Sequence, residues 1–112
     1  MKKVIILLTF VLSTSVFSQI YDPVKWLTSV EKISDIEYNL IATATIESGW
    51  HLYSQVVPEG GPIPTTFTFI DSKHYSLVNK TQEEEGHEVD DSVFEMRIKF
   101  FENKAEFKQR VI

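Results

Sequence analysis

The chain has no cysteine among its 112 residues. It therefore holds no disulfide, no thiolate nucleophile and no thiolate metal ligand. Basic residues are also short, 11 against 16 acidic, for a net charge of −5. An acidic chain with no basic patch repels phosphate backbones, which argues against nucleic acid as a partner. No apolar run approaches the ~20 residues that span a bilayer; the longest is Val4 to Leu12. No strained G-x-S-x-G turn is present, so a serine hydrolase has no support. No segment shows a convincing helical period, and there is neither an internal repeat nor a low-complexity tract. Glycine and proline number four each, and two of the glycines and three of the prolines crowd into Pro58–Pro64.

The N-terminus reads as an export signal. Lys2 and Lys3 precede the Val4–Leu12 run, and Val16 and Ser18 put small residues at the −3 and −1 positions of a cleavage site. Cleavage after Ser18 leaves residues 19–112 as one domain with 9 basic and 16 acidic residues, a net charge of −7. The expected location is the periplasm. A small exported domain without disulfides must be stabilised by apolar packing alone.

Alternation of apolar and polar residues predicts an all-β fold. Val24–Val30 places Val24, Trp26 and Val30 on one side, and a turn follows at Ser34-Asp35. Ile36–Ile46 is the clearest strand, with Ile36, Tyr38, Leu40, Ala42, Ala44 and Ile46 on one face. Trp50–Tyr53 reads as a short strand, Pro58–Pro64 as a stiff loop, Thr65–Ile70 as a strand with Phe67 and Phe69 inward, and Tyr75–Asn79 as another short strand. Thr81–Asp91 reads as a solvated acidic loop. Val93–Phe101 predicts a strand with Phe94, Met96, Ile98 and Phe100 inward, and after a tight turn at Asn103 Ala105–Ile112 forms the last strand. Short strands at regular spacing predict an antiparallel, immunoglobulin-like β-sandwich.

The most informative stretch is Glu47-Ser-Gly-Trp-His-Leu-Tyr-Ser-Gln55. It sets Trp50, His51 and Tyr53 just beyond a glycine at a strand end, where period-2 geometry turns Trp50 and Leu52 one way and His51 and Tyr53 the other. These aromatics either close the end of the core or line a recessed partner-binding site beside the loops at 58–64 and 82–92. His87, Glu88, Asp90 and Asp91 together offer donors for a hard or borderline cation, but their spacing matches no known ligand pattern, and no metal is expected. Asn79-Lys-Thr81 is formally a glycosylation acceptor, of a kind common by chance.

Gly49-Trp-His-Leu-Tyr-Ser-Gln55, Pro58-Glu-Gly-Gly-Pro-Ile-Pro-Thr65 and Phe101-Glu-Asn-Lys-Ala-Glu-Phe-Lys-Gln109 resemble the N-terminal periplasmic domain of the thiol:disulfide interchange protein DsbD, in the form common among Bacteroidetes-type bacteria. The proteobacterial form of the first motif is G-Y-Y-L-Y-R-Q, and the resemblance spans residues 22–112. It implies an immunoglobulin-like fold and a periplasmic relay of electrons from the DsbD transmembrane domain to thioredoxin-like partners, including those of cytochrome c maturation. It places Trp50, His51 and Tyr53 on an aromatic strand beside the redox site. It also makes Glu88, Val89, Asp90 and Asp91 a possible cap loop, although their own sequence matches poorly. The family's M-x-C-x-x-x-x-C hairpin has no counterpart here, so no residue of this chain is expected to be catalytic and no cofactor is implied. Two explanations stand open: a truncated DsbD-like chain, expected as a sandwich incomplete at its C-terminus with Val111-Ile112 as an exposed apolar edge, or a degenerate cysteine-free relative. The competing expectation is a non-catalytic immunoglobulin-like binding module of the cell envelope.

Overall fold

The computed structural model describes residues 21–112, so the segment read as an export signal lies outside the described residues. Seven strands form two antiparallel sheets, with no helix among the described residues. β1 (Val24–Lys32), β2 (Tyr38–Ile46), β7 (Lys104–Val111) and β4 (Leu77–Glu83) make a four-stranded sheet in that spatial order. β3 (Leu52–Tyr53), β6 (Met96–Phe101) and β5 (His87–Asp91) make a three-stranded one.

The register shows why the alternating segments became strands. Val24, Trp26, Thr28 and Val30 of β1 lie opposite Ile46, Ala44, Ala42 and Leu40 of β2. Ala42 and Ala44 in turn lie opposite Phe107 and Ala105 of β7. Directly opposed residues share a face, so this is the inner face. The three-stranded sheet meets it through Phe101 and Leu52. Ala44, Ile46, Phe101, Ala105 and Phe107 are buried together, with Val24, Ala42, Leu52 and Phe67 packed around them. Phe101 and Phe107 stand edge to face across the two sheets, centroids 5.5 Å apart.

The turns follow from local chemistry. Ser34 Oγ accepts from the amides of Ile36 and Glu37, closing the β1–β2 turn. Asn103 (φ 62°) adopts the left-handed conformation at the corner where β6 leaves one sheet and β7 enters the other. Asp91 Oδ1 accepts from Val93 and Phe94 at the β5–β6 turn.

Several expectations are corrected. Thr81–Asp91 is not a loop: β4 runs on to Glu83, and Glu88, Val89, Asp90 and Asp91 belong to β5, paired with Lys99, Ile98, Arg97 and Met96. Backbone pairing with β6 overrides the low strand propensity of that acidic sequence. Val93 and Phe94 lie exposed in the turn, and β6 begins at Met96. Thr65–Ile70 alternates, with Phe67 and Phe69 half-buried, yet joins no ladder. Ile98 and Phe100 are buried, but on the face of β6 away from Phe101. The last strand is not an edge: β7 is flanked by β2 and β4, and Val111 is buried.

Candidate functional site

Gly49 (φ 86°) turns the chain out of β2, a conformation that favours glycine. The motif after it divides in two. Leu52 lies opposite Phe101 and packs on the shared core. Ser54 is 2% exposed, and its hydroxyl donates to Glu83 Oε2 at 2.7 Å. Gln55 donates from its backbone amide (3.0 Å) and from Nε2 (2.9 Å) to Glu83 Oε1. Lys99 Nζ completes the carboxylate's shell at 3.0 Å from Oε2. Burial alone pushes the Glu83 carboxyl up. Hydrogen bonds from Ser54, the Gln55 backbone and side chain, and Lys99 outweigh it and hold the group below its ordinary value.

The same residues repair a defect in β4. The β4–β7 register shifts between Val78 and Gln82, with Asn79 at φ 61°. The bulge frees backbone carbonyls, and two side-chain amides take them. Gln109, 3% exposed, donates from Nε2 to the oxygens of Val78 (3.3 Å) and Asn79 (3.2 Å), while Gln55 Nε2 donates to Thr81 O at 3.2 Å. Thr81 Oγ1 then donates to Gln109 Oε1 at 2.8 Å. No buried side-chain polar atom among the described residues lacks a partner.

Trp50, His51 and Tyr53 take no part in that network. Trp50 is 46% exposed and tilts against Tyr21, centroids 5.6 Å apart. The Tyr21 hydroxyl is held above its ordinary pKa, chiefly by a hydrogen bond to Glu47. His51 stacks on Phe100 at 4.0 Å and 17°, and its Nε2 lies 3.1 Å from Glu102 Oε1. Tyr53 lies opposite Phe100 on the same face. From the other flank His87 tilts over Phe100 at 5.5 Å, with Nε2 3.8 Å from Glu102 Oε2. Two imidazoles, His51 just before β3 and His87 at the start of β5, thus converge on Phe100 of β6 and on Glu102 just after it. His87 and Glu102 were the site residues that alternation did not reveal; only the pairing order β3-β6-β5 brings them to His51.

Beside β3 an open cavity of about 470 Å³ is lined by residues that include Trp26, His51, Leu52, Tyr53, Ile63 and Phe67, with Pro64 among the rest. The 58–64 loop thus does border the aromatic strand. Glu88, Val89, Asp90 and Asp91 are not among the residues lining it. They are strand residues with alternating faces, so His87, Glu88, Asp90 and Asp91 do not converge on one point. Among the described residues, no three His, Asp or Glu side chains form a metal-holding group.

The arrangement offers ring faces, imidazole and carboxylate edges and a recess, features that suit a contact surface. No family model, no curated protein and no solved structure matches this chain, and the site stands on its own geometry.

Proposed function

We propose that this chain is a partner-docking scaffold of a periplasmic thiol:disulfide interchange system of the DsbD N-terminal kind, with Trp50, His51 and Tyr53 forming the wall that meets a thioredoxin-like protein. The observation that carries the reading is the division of labour within Gly49–Gln55. Leu52, Ser54 and Gln55 are spent on the core and on Glu83, which anchors the backbone around Tyr53, while His51 just before them stacks on Phe100 and Trp50 stays half-exposed against Tyr21. Aromatic side chains held rigidly at a recess suit a contact surface, because little conformational freedom is lost on docking. Having no cysteine, the chain contributes no thiolate of its own. Exchange through a mixed disulfide needs a cysteine pair supplied by another segment or protein.

The test is a titration of the full chain with a reduced Cys-X-X-Cys thioredoxin-fold protein from the same envelope, followed by tryptophan fluorescence and backbone NMR. Shifts concentrated at Trp50–Tyr53 and Phe100 are expected, and they should vanish in Trp50→Ala and His51→Ala. No shift up to about millimolar probe, the weakest range expected of a transient encounter, rejects the reading. The absence of any cysteine favours one alternative, a non-catalytic envelope-binding module. In that case the same surface ignores the thioredoxin-fold probe in both redox states.

A further inference from the structure

Among the described residues the two sheets have four edges, and three of them are protected in ways that discourage strand addition. β4 carries the bulge at Asn79; β3 is two residues long; β5 is acidic. β1 is neither short nor bulged, and its charges, Lys25, Glu31 and Lys32, are of both signs. It runs nine residues in unbroken register with β2, without glycine, proline or bulge. Its apolar side chains are left open, with Trp26 45%, Val30 65% and Leu27 71% exposed.

We infer that β1 is a self-association edge, pairing antiparallel with β1 of a second copy about a two-fold axis through Thr28. Hydrogen-bond direction restricts the register. Pro23 O accepts from Glu47 N, and Ile33 N donates to Glu37 O, so odd-numbered residues turn their peptide groups toward β2. The even-numbered residues Val24, Trp26, Thr28, Val30 and Lys32 therefore offer amides and carbonyls to the open edge. Two copies must match even residues with even ones.

Side chains choose among the registers that remain. With the axis at Thr28, Lys25 faces Glu31 of the second copy on the outer surface, twice over. On the inner surface Trp26 faces Val30 of the second copy, again twice, which extends the half-covered inner face across the junction. With the axis one residue later, at Ser29, Lys25 faces Ile33 and Glu31 faces Leu27, and the charge pairs are lost. With the axis one residue earlier, at Leu27, Lys25 faces Ser29 and Glu31 faces Pro23. Among the described residues, Lys25 and Glu31 have loose partners, Asp22 at 3.7 Å and Asn39 at 3.3 Å, which leaves both able to reorient. The outcome is one continuous eight-stranded sheet of isologous symmetry.

The experiment is sedimentation equilibrium of the full chain over a wide concentration range, with a thermal melt of each variant as the fold control. A reversible dimer is expected. Lys25→Glu turns two attractive cross-strand pairs into two like-charged ones and should weaken the dimer about tenfold. The double exchange K25E/E31K should restore it to within about threefold of the original. Thr28→Pro removes an amide that faces the open edge rather than β2, and should abolish pairing while the melt stays cooperative. A monomer at every concentration overturns the inference. So does a dimer unmoved by Lys25→Glu and not lost with Thr28→Pro.

Discussion

Ser54 and Glu83, 29 positions apart in the chain, are joined by a 2.7 Å hydrogen bond between the segment after β3 and the end of β4. The bond ties the three-stranded sheet's edge to the four-stranded sheet, and Lys99 of β6 reaches the same carboxylate at 3.0 Å. Removing the carboxylate strands several donors at once. Glu83→Ala leaves the buried Ser54 hydroxyl and the Gln55 backbone amide without their acceptor and takes the counter-charge from Lys99, which keeps Glu84 O at 2.7 Å, and should cost about 2–4 kcal/mol. Glu83→Gln keeps an acceptor oxygen and should cost less. Urea unfolding of the three proteins measures both differences. A Glu83→Ala chain within about 0.5 kcal/mol of the original, the range of an ordinary surface change, would show the network to be incidental.

The same carboxylate sets an acid limit. Its folded pKa lies below its unfolded one, so as pH falls the unfolded chain takes up the proton first. The stabilisation is complete above the unfolded carboxylate value of about 4.3 and drains away as pH drops through the folded value. Melting temperature should therefore hold steady through neutral pH and fall steeply below about pH 4.5. The gap between the original chain and Glu83→Gln should close over that acid interval. A gap that stays constant from pH 7 down to 3 contradicts the assignment.

How much of this could be read from sequence differs residue by residue. Tyr38–Ile46 alternates because its inner face meets Phe107 and Ala105, and that strand was plain from its pattern, whereas Ile36, read onto the same face, lies 66% exposed in the β1–β2 turn. β5 was hidden because Glu88, Asp90 and Asp91 look like solvated loop; an edge strand can stay polar when one neighbour supplies its ladder. Thr65–Ile70 misled in the opposite sense. Phe67 is placed by Trp26 and Phe107, both about 5–6 Å away, so the period of two reflects side-chain packing without a backbone partner. At the site, Trp50, His51 and Tyr53 stood out as residue types. Their setting did not, because Glu102 and His87 reach His51 through strand order, and Gln55 reaches Glu83 across 28 positions. Long-range pairings of that kind leave no local periodicity.

Gly86 marks a close approach between the β4–β5 connection and β6. A Cβ built there falls 2.5 Å from Phe100 O and 3.1 Å from the Phe101 ring. The nearest obstacle is backbone in the middle of a ladder, which cannot swing aside as a side chain would. Gly86→Ala should therefore destabilise by about 2 kcal/mol or more, overriding the ~0.4–1 kcal/mol gain alanine gives by restraining the unfolded chain. At Gly60 no heavy atom lies near such a Cβ, so Gly60→Ala should show only the smaller cost of its φ of 87°. Thermal melts of the two variants give the order directly, and a more stable Gly86→Ala would refute the close approach.

The stack of His51 on Phe100 separates a display role from a closing role for the aromatic strand. Leu52, one residue on, points the opposite way into the shared core. Leu52→Ala should cost about 2–4 kcal/mol of stability, as truncation of a core leucine does. His51→Ala removes one exposed ring and an exposed contact to Glu102, and should cost less than about 1 kcal/mol. Trp50→Ala, at a half-exposed position, should behave alike. For binding the order reverses: each of Trp50→Ala and His51→Ala should weaken capture of the thioredoxin-fold probe by at least about 1 kcal/mol, roughly fivefold. Paired urea titrations and calorimetric binding on the three variants read both quantities. If His51→Ala proves as destabilising as Leu52→Ala, the ring closes the core from outside, and the docking surface must lie elsewhere.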